Sequence, residues 1–114
     1  MKNKSTLLLA VPLSFALTGL TTAHAAPDAD AAQALMKSNK CTKCHAVDKD
    51  KSGPSMKKIS AKYKGKADGE AAVIKSITTG PKVKLEDGSE EEHTIIKTKD
   101  SAQLKNLAQW ILSQ

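Results

Sequence analysis

The chain has 114 residues and a net charge of +6, and its basic side chains other than histidine are all lysines, because the sequence contains no arginine. Its large aromatic residues are one Phe, one Tyr and one Trp. Nucleic-acid binding is therefore a poor prediction, since it ordinarily uses arginine and aromatic stacking platforms. A single domain of this length buries a modest core by itself, so a large apolar cofactor would complete its interior.

The N-terminal segment has the features of an export signal. Lys2 and Lys4 precede an apolar stretch from Leu7 to Leu20, which is too short to span a membrane. Ala23-His24-Ala25 matches the small-residue pattern of a cleavage site. We therefore predict a cleaved secretory signal peptide over residues 1–25.

Cleavage after Ala25 or Ala26 would leave one exported domain over residues 26–114. No cysteine lies near this junction to carry a lipid anchor, and no integral membrane segment is predicted. In a bacterium the mature protein would be soluble in the periplasm, the compartment in which haem is attached covalently.

In chain order, hydrophobic periodicity and capping residues predict four helices and no strand long enough to build a sheet. The helices are expected from Asp28 or Asp30 to about Asn39, from Pro54 to Tyr63, from Glu70 to Thr79, and from Asp100 or Ser101 through Ile111. Their core-facing positions are expected to be Ala31, Ala34, Leu35, Met56, Ile59, Tyr63, Val73, Ile74, Ile77, Leu104, Leu107, Ala108 and Ile111. The segment from Lys82 to Lys99 is predicted to be a long charged loop, and the fold class all-α.

Between the first two helices lies Cys41-Thr42-Lys43-Cys44-His45, which has the C-x-x-C-H spacing of a c-type haem attachment site. On a helical turn Cys41 and Cys44 share one face, so both sulfurs can reach the vinyl groups of one porphyrin. His45 follows on that face and can place an imidazole nitrogen on the iron. The motif predicts one covalently bound haem c with His45 as its proximal ligand.

Three other uses of these residues are weaker. A thioredoxin-like redox pair needs a βαβ context that the flanking sequence lacks. A zinc site would need further ligands, and beyond the signal segment the chain has one other histidine and no other cysteine. A plain disulfide in an exported protein would leave the position of His45 unexplained.

The ligand on the opposite face of the iron decides what the haem can do. Met36 lies too close in sequence to the cysteines to reach that face, and Met56 is expected to fill the core. His93, in the long charged loop, is therefore the predicted distal ligand. The alternatives are an open or water-bound iron, or a loop lysine such as Lys84 or Lys97. The loop is expected to be held mainly by its bond to iron.

Three further segments follow the haem motif: Gly53-Pro54-Ser55-Met56, Ile77-Thr78-Thr79-Gly80 and Leu107-Ala108-Gln109-Trp110-Ile111-Leu112. With these segments the chain resembles class I c-type cytochromes, in particular small bacterial monohaem cytochromes of the c551/c552 type. The resemblance covers essentially the whole mature chain and implies a small cytochrome c fold around one covalent haem. It also implies that the carbonyl of Pro54 accepts a hydrogen bond from His45 and so orients it.

One position departs from the family pattern. The family typically has a methionine followed by proline shortly before the last helix, and that methionine is the sixth ligand. Here the matching place reads His93-Thr94, and the family's upstream tryptophan-glycine pair is absent. The resemblance therefore implies a distal ligand at this place, and histidine there should give a lower potential than methionine.

These features predict a non-enzymatic periplasmic protein that carries one electron between redox partners. The alternative is a haem-based sensor, or a protein that binds carbon monoxide or nitric oxide, in which His93 is displaceable. Peroxidase-like catalysis is a distant third, because no distal acid–base pair is recognisable.

Five lysines flank the haem motif, the proline segment and the charged loop, and they are predicted to ring the exposed haem edge: Lys43, Lys57, Lys58, Lys82 and Lys84. Such a ring would dock redox partners with acidic surfaces. The simpler alternative is a solvated lysine-rich surface without a partner. We expect a monomer.

Overall fold

The computed structural model describes Gly19 and residues 24–114. Most of the predicted signal peptide lies outside these residues, so that prediction is not tested by the fold. The helices are α1 (Ala29–Ser38), α2 (Met56–Tyr63), α3 (Gly69–Thr79) and α4 (Ser101–Leu112), with a short 3₁₀ turn over Cys41–Lys43. Two strands, β1 (Lys82–Lys84) and β2 (Glu90–Glu92), lie between α3 and α4. None of the helices within the described residues is long and apolar enough to cross a membrane.

Side-chain caps set the helix starts. Asp28 caps α1 by accepting a hydrogen bond from the amide of Ala31 at 2.9 Å, and Asp100 caps α4 through the amide of Ala102 at 2.9 Å. Each such cap is worth about 1 kcal/mol. Both starts agree with the predicted ones. The predicted start of α2 at Pro54 is wrong, because Ser55 takes the capping position and leaves Pro54 outside the helix.

Helix α4 packs against the three other helices and forms the centre of the fold. Leu107, Ala108 and Trp110 on this helix are 1%, 0% and 6% exposed. The hydroxyl of Ser60 on α2 donates to the carbonyl of Leu112 at 2.8 Å, which ties α2 to the end of α4. The predicted apolar stripe of α4 is therefore its buried face.

The predicted inner face of α1 is partly wrong. Ala31 and Ala34 are exposed, whereas Ala32 and Met36 are 1% and 5% exposed and belong to the core. Alanine is common on both faces of a helix, so a run of alanines defines the direction of the apolar stripe poorly. The large apolar side chains decide which face turns inward: Met36 is buried, and Leu35, which was predicted correctly, is half-buried against the core.

The prediction that no sheet forms is also wrong. Strands β1 and β2 pair antiparallel, with Lys82 opposite Glu92 and Lys84 opposite Glu90. The chain reverses through Gly88, whose φ of +84° is readily adopted by glycine. Opposite charges across the strands favour this pairing. These strands are charged rather than apolar, so hydrophobic alternation did not reveal them.

Candidate haem site

A cavity of about 430 Å³ opens between the helices and the hairpin. Cys41, Cys44 and His45 line one side of it, and His93 lines it from the hairpin side. Most of the remaining wall is apolar and comes from every helix: Met36, Met56, Ile59, Val73, Ile77, Leu107 and Ile111. A cavity of this kind suits a large, flat, mostly apolar group that lies between the imidazoles of His45 and His93.

The 3₁₀ turn brings the two cysteines and the first histidine together. The amides of Cys44 and His45 both donate to the carbonyl of Cys41, at 3.2 and 3.1 Å. No disulfide joins the two cysteines, and both are half-buried. Burial raises the pKa of the Cys41 thiol, and the neighbouring Cys44 adds to the effect while a backbone hydrogen bond opposes it. A redox pair of the thioredoxin kind instead needs a thiol of lowered pKa.

His45 is held tightly on its outer side. Its Nδ1 lies 2.6 Å from the carbonyl oxygen of Pro54, and because a carbonyl only accepts, Nδ1 must carry the proton. This is the contact that the predicted role of Pro54 requires. Burial, reinforced by His93, lowers the pKa of His45, although the bond to Pro54 opposes this. The ring is therefore neutral near pH 7 with Nε2 unprotonated, the state in which histidine binds metals.

Gly53 makes room for this arrangement. A Cβ atom at Gly53 would lie 2.8 Å from Cε1 of His45, closer than real side chains approach. The amide of Gly53 also donates to the carbonyl of Cys44 at 2.9 Å, which keeps the loop against the histidine. Sequence reasoning used this residue only as part of the Gly53-Pro54 segment and did not identify the close approach.

Asp50 is a second residue that the sequence analysis missed. Its carboxylate accepts a hydrogen bond from the amide of Ser55 at 2.8 Å and another from the ammonium group of Lys58. These two donors, Lys58 first, hold the pKa of the Asp50 carboxyl below its usual range. Nothing in the sequence distinguishes this aspartate from Asp48 in the same loop, because the partners of Asp50 are known only from the folded loop.

His93 faces His45 across the cavity. Their ring centroids are 6.0 Å apart, with the ring planes at 48° to each other. Nδ1 of His93 is buried and has no hydrogen-bond partner among the residues that the structure describes, an arrangement that is costly unless a further partner binds. Imidazole–metal bonds are about 2 Å long, so two imidazoles on opposite sides of one ion would have centroids about 6 Å apart. The pair therefore fits an iron between the two rings.

The hairpin and the start of the following segment hold His93 in place. The amide of His93 donates to the carbonyl of Pro81 at 2.9 Å, and that of Ile96 donates to Ile77 at 2.8 Å. Ile96 is 3% exposed, and Gly80 ends α3 with a φ of +62°, which lets the chain turn toward the hairpin. Backbone pairing and core packing therefore hold this segment in addition to the bond to iron that the sequence analysis expects.

The other candidate ligands are placed differently. Met36 and Met56 line the cavity but belong to the buried core, at 5% and 2% exposed. Lys84 lines the cavity, whereas the side chain of Lys97 is not part of its wall, and the backbone amide of Lys97 bonds to Asn39. Of the lysines expected around the haem edge, Lys58 and Lys84 line the cavity. Two lysines that were not predicted, Lys40 and Lys62, do so as well.

Comparisons with known proteins identify the family. The family model described as Cytochrome c matches residues 29–114. The crystal structure of the class 1 cytochrome MtoD from Sideroxydans lithotrophicus ES-1 superimposes with a TM-score of 0.74 at 54% identity, over 77% of this chain and 97% of that one.

Relatives named cytochrome c-551 also match the chain. The protein from Pseudomonas aeruginosa is 33% identical over 102 residues, which is 90% of this chain and 93% of that protein. The protein from Pseudomonas denitrificans is 44% identical over 48 residues, and this match spans 58% of that protein and 42% of this chain.

Proposed function

Since the chain belongs to the cytochrome c family and carries its single covalent haem c, we propose that it is a one-electron carrier with two histidine ligands. In this proposal Cys41 and Cys44 form the thioethers, His45 is the proximal ligand and His93 the distal one. The reduction potential is then low for the family, because a thioether ligand raises the potential relative to imidazole.

The facing pair of imidazoles is the observation that carries the proposal. Two rings of one cavity stand 6.0 Å apart, and the ring of His93 has a buried nitrogen without a partner. The two methionines of the mature chain are occupied in the core, so neither competes for the place opposite His45. This arrangement supports histidine where most of the family has methionine.

The bound haem supplies the change between ferrous and ferric iron, and the chain makes that change easy. Pro54 keeps the ring of His45 oriented. The hairpin keeps His93 at one distance from it. The mostly apolar wall disfavours water next to the haem. Because the segments that hold His45 and His93 do not have to move when the electron arrives or leaves, little structural reorganisation accompanies electron transfer.

A sensor with a displaceable His93 is the other candidate, and the structure gives it less support. Displacement by movement of the whole segment would break its bonds to Pro81 and Ile77 and would expose Ile96 from the core. Rotation of the His93 side chain alone would leave its imidazole against the apolar wall of the cavity without a bond to iron. A fixed ligand suits an electron carrier better than a gas-binding protein.

We also propose export to the periplasm after removal of residues 1–25, with residues 26–114 as the mature domain. The apolar stretch and the Ala23-His24-Ala25 site support this. Redox partner proteins with acidic surfaces would dock at the lysines near the cavity, among them Lys58 and Lys84.

Optical spectra of the purified protein with and without carbon monoxide test the proposal. We expect a low-spin six-coordinate haem in both oxidation states, with no charge-transfer band of methionine–iron ligation near the far-red end of the ferric spectrum. Carbon monoxide should leave the reduced spectrum unchanged, and acid–acetone should not extract the haem. Rapid carbon monoxide binding would instead favour the sensor, and extraction of all the haem would contradict the thioethers.

A further inference from the structure

One peptide group on the proximal side has both of its polar atoms engaged by side chains. The carbonyl oxygen of Pro54 accepts the Nδ1 proton of His45 at 2.6 Å. The N–H of Ser55, on the other end of the same peptide bond, donates to Oδ1 of Asp50 at 2.8 Å. A peptide group is planar and rigid, so its carbonyl cannot rotate away from His45 unless its N–H also leaves Asp50.

Asp50 is itself well placed to hold this group. Its second carboxylate oxygen accepts a hydrogen bond from Lys58, one turn into the helix that Ser55 caps. Its backbone forms an isolated antiparallel bridge with that of His45. The side chain of Asp50 is 25% exposed, against 66% for Lys58, so the carboxylate is the more enclosed partner of the pair. A continuous path of hydrogen bonds therefore runs from Lys58 to the imidazole.

We propose that Asp50 is a positioning residue for His45, acting through the peptide group between Pro54 and Ser55. The inference rests on the proposed function, in which His45 is the proximal ligand. An anionic acceptor on the N–H polarises the peptide and increases the electron density on its carbonyl oxygen. The carbonyl then accepts the His45 proton more strongly, which makes the imidazole a more basic ligand. A more basic ligand stabilises ferric iron, so Asp50 lowers the reduction potential.

Three variants of the holoprotein separate this effect from a simple change of charge. Asp50→Ala removes both the charge and the acceptor for the Ser55 amide. Asp50→Asn removes the charge but keeps an oxygen that can accept from the amide. Asp48→Asn is the matched control, because Asp48 lies two residues away and forms an ion pair with Lys57 at 2.5 Å rather than a bond to the peptide.

The measured quantity is the midpoint potential. We expect the largest rise for Asp50→Ala, a smaller rise for Asp50→Asn, and the smallest for Asp48→Asn. Equal rises in all three would overturn the proposal, because they would show that only the lost charge matters. Asp50→Asn keeps an acceptor for the loop, so its comparison with Asp48→Asn decides the question even if Asp50→Ala does not fold.

The proton on Nδ1 of His45 provides a second measurement, by NMR of the reduced, diamagnetic protein. A weaker bond to Pro54 should move its resonance upfield in Asp50→Ala and leave it in place in Asp48→Asn. A resonance that is unchanged in Asp50→Ala would contradict the proposed path. Absence of a low-spin, thioether-bound haem in the unmodified protein would overturn the proposed function instead, so the two failures are distinguishable.

Discussion

The two sides of the cavity are built in different ways. On the proximal side, His45 is oriented by Pro54, nine residues further along the chain, and Asp50 holds Ser55, five residues further along. On the distal side, the segment after His93 is tied to Ile77 and, through the amide of Lys97, to Asn39 58 residues away. His45 is thus held by a local loop, whereas His93 is held by packing between distant elements.

This difference has a consequence for how each ligand responds to change. A local loop can be disturbed by one added methyl group, because its atoms contact the histidine directly. The segment that carries His93 is bonded to several separate parts of the fold, so its backbone should keep its conformation when the His93 imidazole is removed. Substitutions on the two sides can therefore test whether the bond to iron or the packing of the chain keeps each histidine in position.

The largest effect is expected from His93→Ala. The iron should become high-spin or water-bound and should bind carbon monoxide stoichiometrically after reduction. The hairpin should remain folded, because the bonds to Pro81 and Ile77 do not use the imidazole. Optical spectra and a carbon monoxide titration measure the first effect, and backbone amide chemical shifts measure the second.

Glu92→Gln serves as the control for His93→Ala, since Glu92 is the exposed neighbour on β2 and its substitution should leave the spectrum unchanged. His93→Met should restore six-coordinate iron at a higher potential if the segment can place the longer side chain. An unaltered spectrum in His93→Ala would exclude His93 as the ligand and make Lys84 the leading candidate, because it also lines the cavity.

A smaller effect on the opposite side is expected from Gly53→Ala. The new methyl group would lie 2.8 Å from Cε1 of His45, so either the loop or the ring must move. Such overpacking costs about 1–3 kcal/mol of unfolding free energy. The haem spectrum and the reduction potential should also change, because a shift of the loop or of the ring would alter the hydrogen bond between His45 and Pro54.

Gly65→Ala is the matched comparison for Gly53→Ala. Gly65 has a φ of +78° and no atom within 4 Å of an added Cβ, so alanine there is strained but clashes with nothing. It should cost roughly 1 kcal/mol and leave the spectrum unchanged. Denaturant unfolding and optical spectra of both variants measure the difference. If the two variants gave the same spectrum as the unmodified protein, close packing at Gly53 would not matter to the ligand.

The smallest effect concerns partner docking at the rim between the two sides. If an acidic partner is steered there, the association rate should fall steeply as salt shortens the screening length below about 10 Å. Lys84→Glu should slow association more than Lys105→Glu, because Lys84 lines the cavity and Lys105 lies on α4 outside its wall. Stopped-flow mixing with a negatively charged redox protein measures both rates. Rates indifferent to salt, or equal in the two variants, would indicate a solvated lysine surface only.

Much of the helical framework and of the haem motif could be predicted from the sequence, because both depend on residues close together in the chain. Asp28 and Asp100 begin their helices through bonds to amides two or three residues away. Cys41 and Cys44 share one face because the turn between them is short. Similarly, the apolar stripe of α4 follows helical periodicity alone.

The errors occur where the outcome depends on packing between distant segments. The sequence alone did not show whether Ala31 or Ala32 faces inward, because that depends on how α1 meets α4. It did not reveal the paired strands, because one contains two lysines around a valine and the other three glutamates, and neither has an apolar pattern. It did not identify Asp50 or the close approach at Gly53, since both act through contacts that exist only once the loop closes on His45.

For the site as a whole, the sequence by itself determined where a haem could be attached and which histidine could face it from a distance along the chain. Only the tertiary structure placed the ring centroids of His93 and His45 6.0 Å apart and provided the backbone hydrogen bonds that hold His93 there. The physical reason is range: covalent spacing and helix caps act within a few residues, whereas the separation of two ligands from distant segments depends on the packing of the whole core between them.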